Sequence, residues 1–191
     1  MANRSYLKVF LFLAAFGFVA DQASKYGVFR WLYNDGRGDE REVVEGAFKL
    51  IAQFDPTQER NCDCVLGTWS GEVAPRVNHG ALFGLGNEQE HTANWIFAGI
   101  SLLAAIAITV WGTRPSAKQD LWLSCALGLI LSGTLGNFYD RVVFNGVRDF
   151  LYFYLIDWPV FNVADCALVV GAGMLLVQAF RKSPEESAGK D

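Results

Sequence analysis

From Ala93 to Trp111 the chain runs for 19 residues without a charged side chain. A helix of that length rises close to the ~30 Å of a bilayer's hydrocarbon core. Three further blocks resemble it. Tyr6–Phe29 is apolar except for Lys8, Asp21, Gln22, Ser24 and Lys25, Leu121–Tyr139 carries no charge, and Val160–Phe180 carries only Asp165. A soluble domain spreads its hydrophobic residues in periodic stripes. Here the 52% of hydrophobic residues come in blocks, as spanning helices require. The expected fold is an all-α membrane protein, one integral domain over residues 1–191, with spans of about 6–29, 93–111, 121–139 and 160–180. The first block, with Arg4 and Lys8 before it, also suits a signal peptide, but no small-x-small cleavage site follows it. It is read as a retained span.

The segment between the first two spans differs in kind. Between Asn34 and Val77 it holds nine Asp or Glu and five Lys or Arg, punctuated by Gly36, Gly38, Gly46, Gly67 and Gly71. Phe48, Leu50, Ala52 and Phe54 alternate with Lys49, Ile51, Gln53 and Asp55, the two-residue period of a strand. A small β-structure outside the membrane is expected over about 30–77. Four spans put both termini on one side. Arg4, Lys8, Arg114, Lys118, Arg181 and Lys182 all fall there, near helix ends, so by the positive-inside rule that side is the cytoplasm. The acidic insert and residues 140–160 then lie outside.

A net charge of −4 gives no reason to expect nucleic acid as a partner. Cys62-x-Cys64 is too closely spaced for an easy disulfide and has no second pair to complete a zinc site. His79 and His91 are the only histidines, too few for a histidine-based metal site or triad.

The polarity gathers in Gly136–Asp165, where Asp140, Asp149, Asp157 and Asp165 crowd between two apolar stretches. Charged residues inside a membrane protein are costly and are functional candidates by default. Asp21 and Lys25 are four apart on one helix face, as an ion pair or as part of a site. Asn137, Asp140 and Arg141 share another face, and Arg141 is the expected partner of Asp140. Asn162 and Asp165 are expected about one turn into the fourth span. With no basic residue nearby on that helix, Asp165 suits either acid–base work or a capping or interhelical hydrogen bond. Asp149 sits in a loop too apolar to be an ordinary solvated one, read as membrane-surface chain or a short strand, while Asp157 before Trp158-Pro159 reads as a turn residue. The Asn78 amide, beside Gly80, offers donors and an acceptor to a substrate backbone. The reaction centre expected is a pair of carboxylates sharing one proton, able to activate water against a peptide bond. Spacing alone leaves open which two pair.

Five motifs occur in order: Asp21-Gln22-Ala23-Ser24-Lys25, Asn78-His79-Gly80-Ala81-Leu82-Phe83, Gly136-Asn137-Phe138-Tyr139-Asp140-Arg141, Val147-Arg148-Asp149-Phe150 and Phe161-Asn162-Val163-Ala164-Asp165. Together they resemble the bacterial lipoprotein signal peptidases, over most of the chain. The resemblance implies an aspartic endopeptidase of the cytoplasmic (inner) membrane, with its active site near the extracytoplasmic face and a small β-cradle between helices 1 and 2. It implies diacylglyceryl-modified prolipoproteins as substrates, cut before the lipid-bearing cysteine, membrane lipid as surroundings, a monomer, and no metal or organic cofactor. It implies Asp149 and Asp165 as the catalytic pair, with Asp21, Lys25, Asn78, Asn137, Asp140, Arg141 and Asn162 shaping the site and holding substrate. The departure lies in the insert, longer and more acidic than the family suggests. Two rivals remain: a small transporter, which needs mid-span charges and broken helices in paired halves, and a scaffold whose outer loop binds a partner.

Overall fold

A computed structural model describes residues 5–59, 73–80 and 87–182. The readings of Cys62-x-Cys64 and of Ala81-Leu82-Phe83 lie outside those residues. In chain order the elements are α1 (Leu7–Trp31), β1 (Asp39–Val44), β2 (Phe48–Ala52), β3 (Phe54–Glu59), β4 (Val73–Pro75), α2 (Asn87–Gly112), α3 (Leu121–Phe144), β5 (Leu151–Tyr152) and α4 (Val163–Lys182).

Among the described residues, four helices are long and apolar enough to cross a membrane. The second helix begins earlier than its charge-free run, and the third continues past residue 139 to Phe144, taking Asp140 and Arg141 into the helix. Its end is set by Asn145, which adopts the left-handed conformation (φ 57°) that Asn tolerates better than most residues. Its start is capped by the Asp120 carboxylate, which accepts the Leu123 N–H. The fourth helix starts three residues later than expected, because Phe161 is bridged to Leu151 instead.

α3 is the central helix and packs against α1, α2 and α4. Its buried face is built of small residues, among them Ser124, Ala126, Gly128, Ser132, Gly133, Thr134 and Gly136, which let neighbouring backbones approach. A core of Phe10, Ala14, Ala105, Ala117, Leu127 and Leu131 fills one end of the bundle. Outward-facing Phe12, Phe16, Leu103, Val169 and Phe180 are exposed, a surface fit for lipid.

Among the described residues, the insert contributes β1 and β2 to an antiparallel sheet β1-β2-β5 and forms a second, β3-β4. The strand read at residues 48–55 is present as β2 and the start of β3, but the alternation shows only from Ala52 to Asp55, since residues 48–51 are all half-buried. Ala52 and Phe54 are buried and Leu50 packs beside them, in a core with Phe29, Leu32 and Phe150. That core roots the sheet on the end of α1. The third strand of the first sheet comes from the far side of the chain, with Lys49 opposite Tyr152 and Leu50 opposite Leu151. The loop after α3 is therefore stitched to the insert.

Candidate active site

Asp165 is placed by a helix start. Asn162 immediately precedes α4, its side-chain oxygen accepts the Asp165 N–H at 3.2 Å, and its own N–H donates to Asp165 Oδ2 at 3.1 Å. This reciprocal pair is the geometry of a capping box. The second Asp165 oxygen accepts the Asn137 amide from α3 at 2.8 Å. Asp165 thus lies in the first turn of α4, where the exposed N–H groups favour negative charge. The capping and interhelical contacts weighed for it are both present.

Asp149 is placed by a strand-like crossing. Asn78 and Val147 exchange backbone hydrogen bonds at 2.7 and 2.9 Å, and Phe150 next to Asp149 is buried under the sheet. Between these anchors the Asp149 carboxylate accepts the Asn162 amide at 2.7 Å and the Asn78 amide at 3.0 Å. Asn162 therefore touches both aspartates, through its side chain to Asp149 and its backbone to Asp165. Asp149 is half-buried and lines an open cleft of about 380 Å³ beneath the β-structure, walled by Ile51, Val77, Val147 and Val160 with Gln53 and Arg76. Burial, reinforced by the nearby Asp165 charge, pushes its carboxyl up to about 6.

Behind the pair lies a buried ionic cluster. Lys25 sits 2.9 Å from Asp21 and 3.5 Å from Asp140, and Arg148 sits 2.9 Å from Asp140, all four fully buried. Two carboxylates face two cations, so the cluster carries no net charge. The Asp21 pairing with Lys25 is as the spacing predicts. Asp21 also accepts the Ala164 N–H at 2.9 Å, which ties α1 to the start of α4. Gly136 permits this approach, since a Cβ there would press on the Asp21 carboxylate and the Ala164 methyl. Lys25 donates to Asn137 Oδ1 at 3.2 Å, as does the Asn162 amide. Asn137 is the link between the cluster and Asp165.

One expectation is corrected. Arg141 is not the partner of Asp140, which lies one residue away on the helix and is held by Arg148 and Lys25. The Arg141 guanidinium instead stacks over Phe97 at 5.5 Å, donates to the Asn137 carbonyl at 3.4 Å, and stands within electrostatic reach of Asp149 and Asp165. Asp157, in a left-handed turn, accepts the Tyr152 hydroxyl at 2.6 Å and is apart from the pair. Three residues escaped the sequence reading. Gln22 donates to Asp21, Asp140 and the Gly136 carbonyl, and its place between Asp21 and Lys25 was a signal. Arg148, next to Asp149, reaches back to α3. Asn94, fully buried on α2, donates to the Arg141 carbonyl and to Asn145 Oδ1. A polar amide inside an otherwise apolar span marks such a residue.

All these groups gather at one end of the bundle, with the β-structure over them. The model of signal peptidase (SPase) II matches residues 13–181 of this chain. The chain belongs to the signal peptidase II family. As a signal peptidase II it is a protease, set among four apolar helices that make it a multi-pass membrane protein. A lipoprotein signal peptidase of Rhodopirellula baltica is 38% identical over 193 residues, covering 94% of this chain and 74% of that protein. One from Yersinia pestis (strain Pestoides F) is 40% identical over 113 residues, covering 58% of this chain and 66% of that protein. A solved bacterial membrane enzyme shares the fold with a TM-score of 0.71 at 23% identity, over 96% of this chain and 99% of that one. A second matches with the same TM-score at 22% identity, over 100% and 99%. In this signal peptidase II the polar residues named from the sequence converge, and continuous helices replace the broken ones that a transporter would need.

Proposed function

We propose that this chain removes the signal peptide from diacylglyceryl-modified prolipoproteins, cutting before the lipid-bearing cysteine, with Asp149 and Asp165 as the catalytic pair. The observation that carries the reading is Asn162, which meets both carboxylates beside the open cleft of about 380 Å³ that Asp149 lines.

Asp149 carries the shared proton, in keeping with the burial that favours its neutral form. Asp165, with two N–H donors and a helix N-terminus behind it, takes the part of base. A water between them gives a proton to Asp165 as its oxygen adds to the scissile carbonyl carbon. Asp149 donates a hydrogen bond, then its proton, to the carbonyl oxygen of the tetrahedral intermediate. The proton on Asp165 passes to the cysteine nitrogen as the C–N bond breaks, and the intermediate returns its hydroxyl proton to Asp149 as the new carboxyl forms. Each cycle consumes one water and restores the pair. Asn78, Asn137 and Asn162 orient the carboxylates, Arg141 faces them from α3, and the cluster of Asp21, Lys25 and Asp140 braces Asn137. The site faces the extracytoplasmic side, both termini lie in the cytoplasm, and the enzyme acts as a monomer.

The test is incubation of the purified protein, in detergent or lipid, with a diacylglyceryl-modified prolipoprotein and an unlipidated copy. Cleavage before the lipidated cysteine is expected for the wild type. Asp149→Asn and Asp165→Asn should each lose about 10³-fold or more in turnover, as removal of an essential acid or base does. Normal turnover by either variant would remove that residue from the pair.

A further inference from the structure

Arg148 has no part in the chemistry above, yet it is the largest fully buried side chain among the described residues. Its backbone N–H and its Nε donate to Asp140 Oδ2 at 2.9 and 3.1 Å. Its Nη2 donates to Asp140 Oδ1 and to Gln22 Oε1, each at 2.9 Å. The guanidinium is sandwiched between Tyr26 at 4.2 Å and Phe144 at 3.9 Å. One residue is thus pinned, by backbone and side chain together, to a single carboxylate of α3. The next residue in the chain is Asp149. A planar fork grips a carboxylate in a fixed orientation that the point charge of a lysine cannot reproduce.

The grip also reaches the other aspartate. Asp140 is shared between Arg148 and Lys25. Lys25 in turn holds Asp21 and donates to Asn137, and the Asn137 amide donates to Asp165. Take the guanidinium away and Lys25 alone must serve two buried carboxylates. It is then drawn toward Asp140 and off Asn137.

We propose that Arg148 is a positioning residue for the catalytic pair, fixing Asp149 through the peptide bond that joins them and Asp165 through Asp140, Lys25 and Asn137. This rests on the reading of Asp149 and Asp165 as that pair. The groups that face Asp149 are Asn78, Asn162 and Asp165, with Lys25 from α1 and Arg141 from α3 within electrostatic reach. Lys25 loosens the Asp149 proton. Its displacement tightens that proton, so the alkaline limb of the rate profile moves to higher pH when the guanidinium is lost without replacement.

The experiment uses the full-length protein in lipid with the diacylglyceryl-modified prolipoprotein, and compares Arg148→Lys, Arg148→Gln and the charge-balanced double variant Asp140→Asn/Arg148→Gln. The lysine variant keeps the charge and loses the fork. Its kcat should fall about tenfold or more with KM within about threefold, because misplacement costs the transition state more than binding, and its alkaline limb should stay in place. In Arg148→Gln the limb should move up. In the double variant kcat should be low and the limb restored, since Lys25 is then free to stay on Asn137. Wild-type kcat in Arg148→Lys overturns the proposal. So does a limb that fails to move in Arg148→Gln, or a loss that tracks only the folded fraction. Failure of Arg148→Lys to fold overturns it too, by making Arg148 a structural residue. A wild type that does not cleave, or an Asp149→Asn variant that cleaves normally, would sink the underlying reading instead.

Discussion

The Asp149 carboxyl is costly to the fold where it sits. A carboxyl raised from 3.8 to about 6 holds its proton more tightly in the folded state than in the unfolded one. Its contribution to stability is therefore complete below about pH 4 and is lost as pH rises through about 6. Asp149→Asn removes that loss. The variant should be more stable than the wild type at pH 8, by roughly 3 kcal/mol, with the gap closing toward pH 4. Thermal unfolding in one detergent across that range checks it, and a gap that widens on acidification would contradict the burial. In the proposed mechanism the same proton serves the reaction, so kcat/KM of the wild type should decline as pH rises past about 6, a limb that belongs to the pair. Which polar residues would gather was largely legible in the chain, because Asp, Lys and Asn beside apolar spans stand out. Their partners were not. Asp140 has Arg141 beside it in sequence, but adjacent residues on a helix point about 100° apart, and a guanidinium eight residues on, beyond the helix end, reaches it instead. Asn162 gave no sign that one residue would serve two carboxylates.

Among the elements, α3 does most to set the geometry, and Gly136 is its tightest point. A methyl there meets the Asp21 carboxylate and the Ala164 side chain. Gly136→Ala should lower stability by about 1–3 kcal/mol, the range for an overpacked contact, and reduce activity with it. Unfolding and turnover of the same preparation measure both, and unchanged values would mean that α1 and α4 give way. Asp157 provides the contrast, since its part is to end a turn and receive Tyr152. Asp157→Asn keeps the left-handed propensity and an acceptor, so cleavage within about twofold of wild type is expected. Complete loss in a folded protein would show that the turn carries more than its backbone. The spans were legible as blocks, but their ends were not. α3 runs on to Phe144 because its polar residues are satisfied inside the protein, where hydropathy alone says the membrane stops. The strand pairing of residues 151–152 with the insert depends on contacts some hundred residues away, and the apolar loop hinted only at a surface or a strand.

At the level of the whole molecule, the arrangement is a bundle with every ionic group of the site at the end that bears the β-structure. The proposed orientation, with the end opposite the β-structure in the cytoplasm, rests on charge, through Arg114 and Lys118 between α2 and α3. With the four native cysteines replaced by serine, a cysteine placed at Glu45, exposed in the turn of the β1–β2 hairpin and free of the positive φ of Gly46, should react with a membrane-impermeant reagent in intact cells. One placed at Lys118 should react only after permeabilisation. The reverse pattern would turn the protein over.

The shared sheet has a further consequence. β2 pairs on one edge with β1, in an exposed hairpin, and on the other with β5, a strand two residues downstream of Asp149. The hairpin is thus a handle on the active site. A binder raised against residues 39–48 would need neither to enter the cleft nor to cross the lipid in order to inhibit. By bending β2 it would drag Leu151, and with it the Asp149 carboxyl, out of register with Asn162. Such inhibition would be non-competitive with the lipidated substrate.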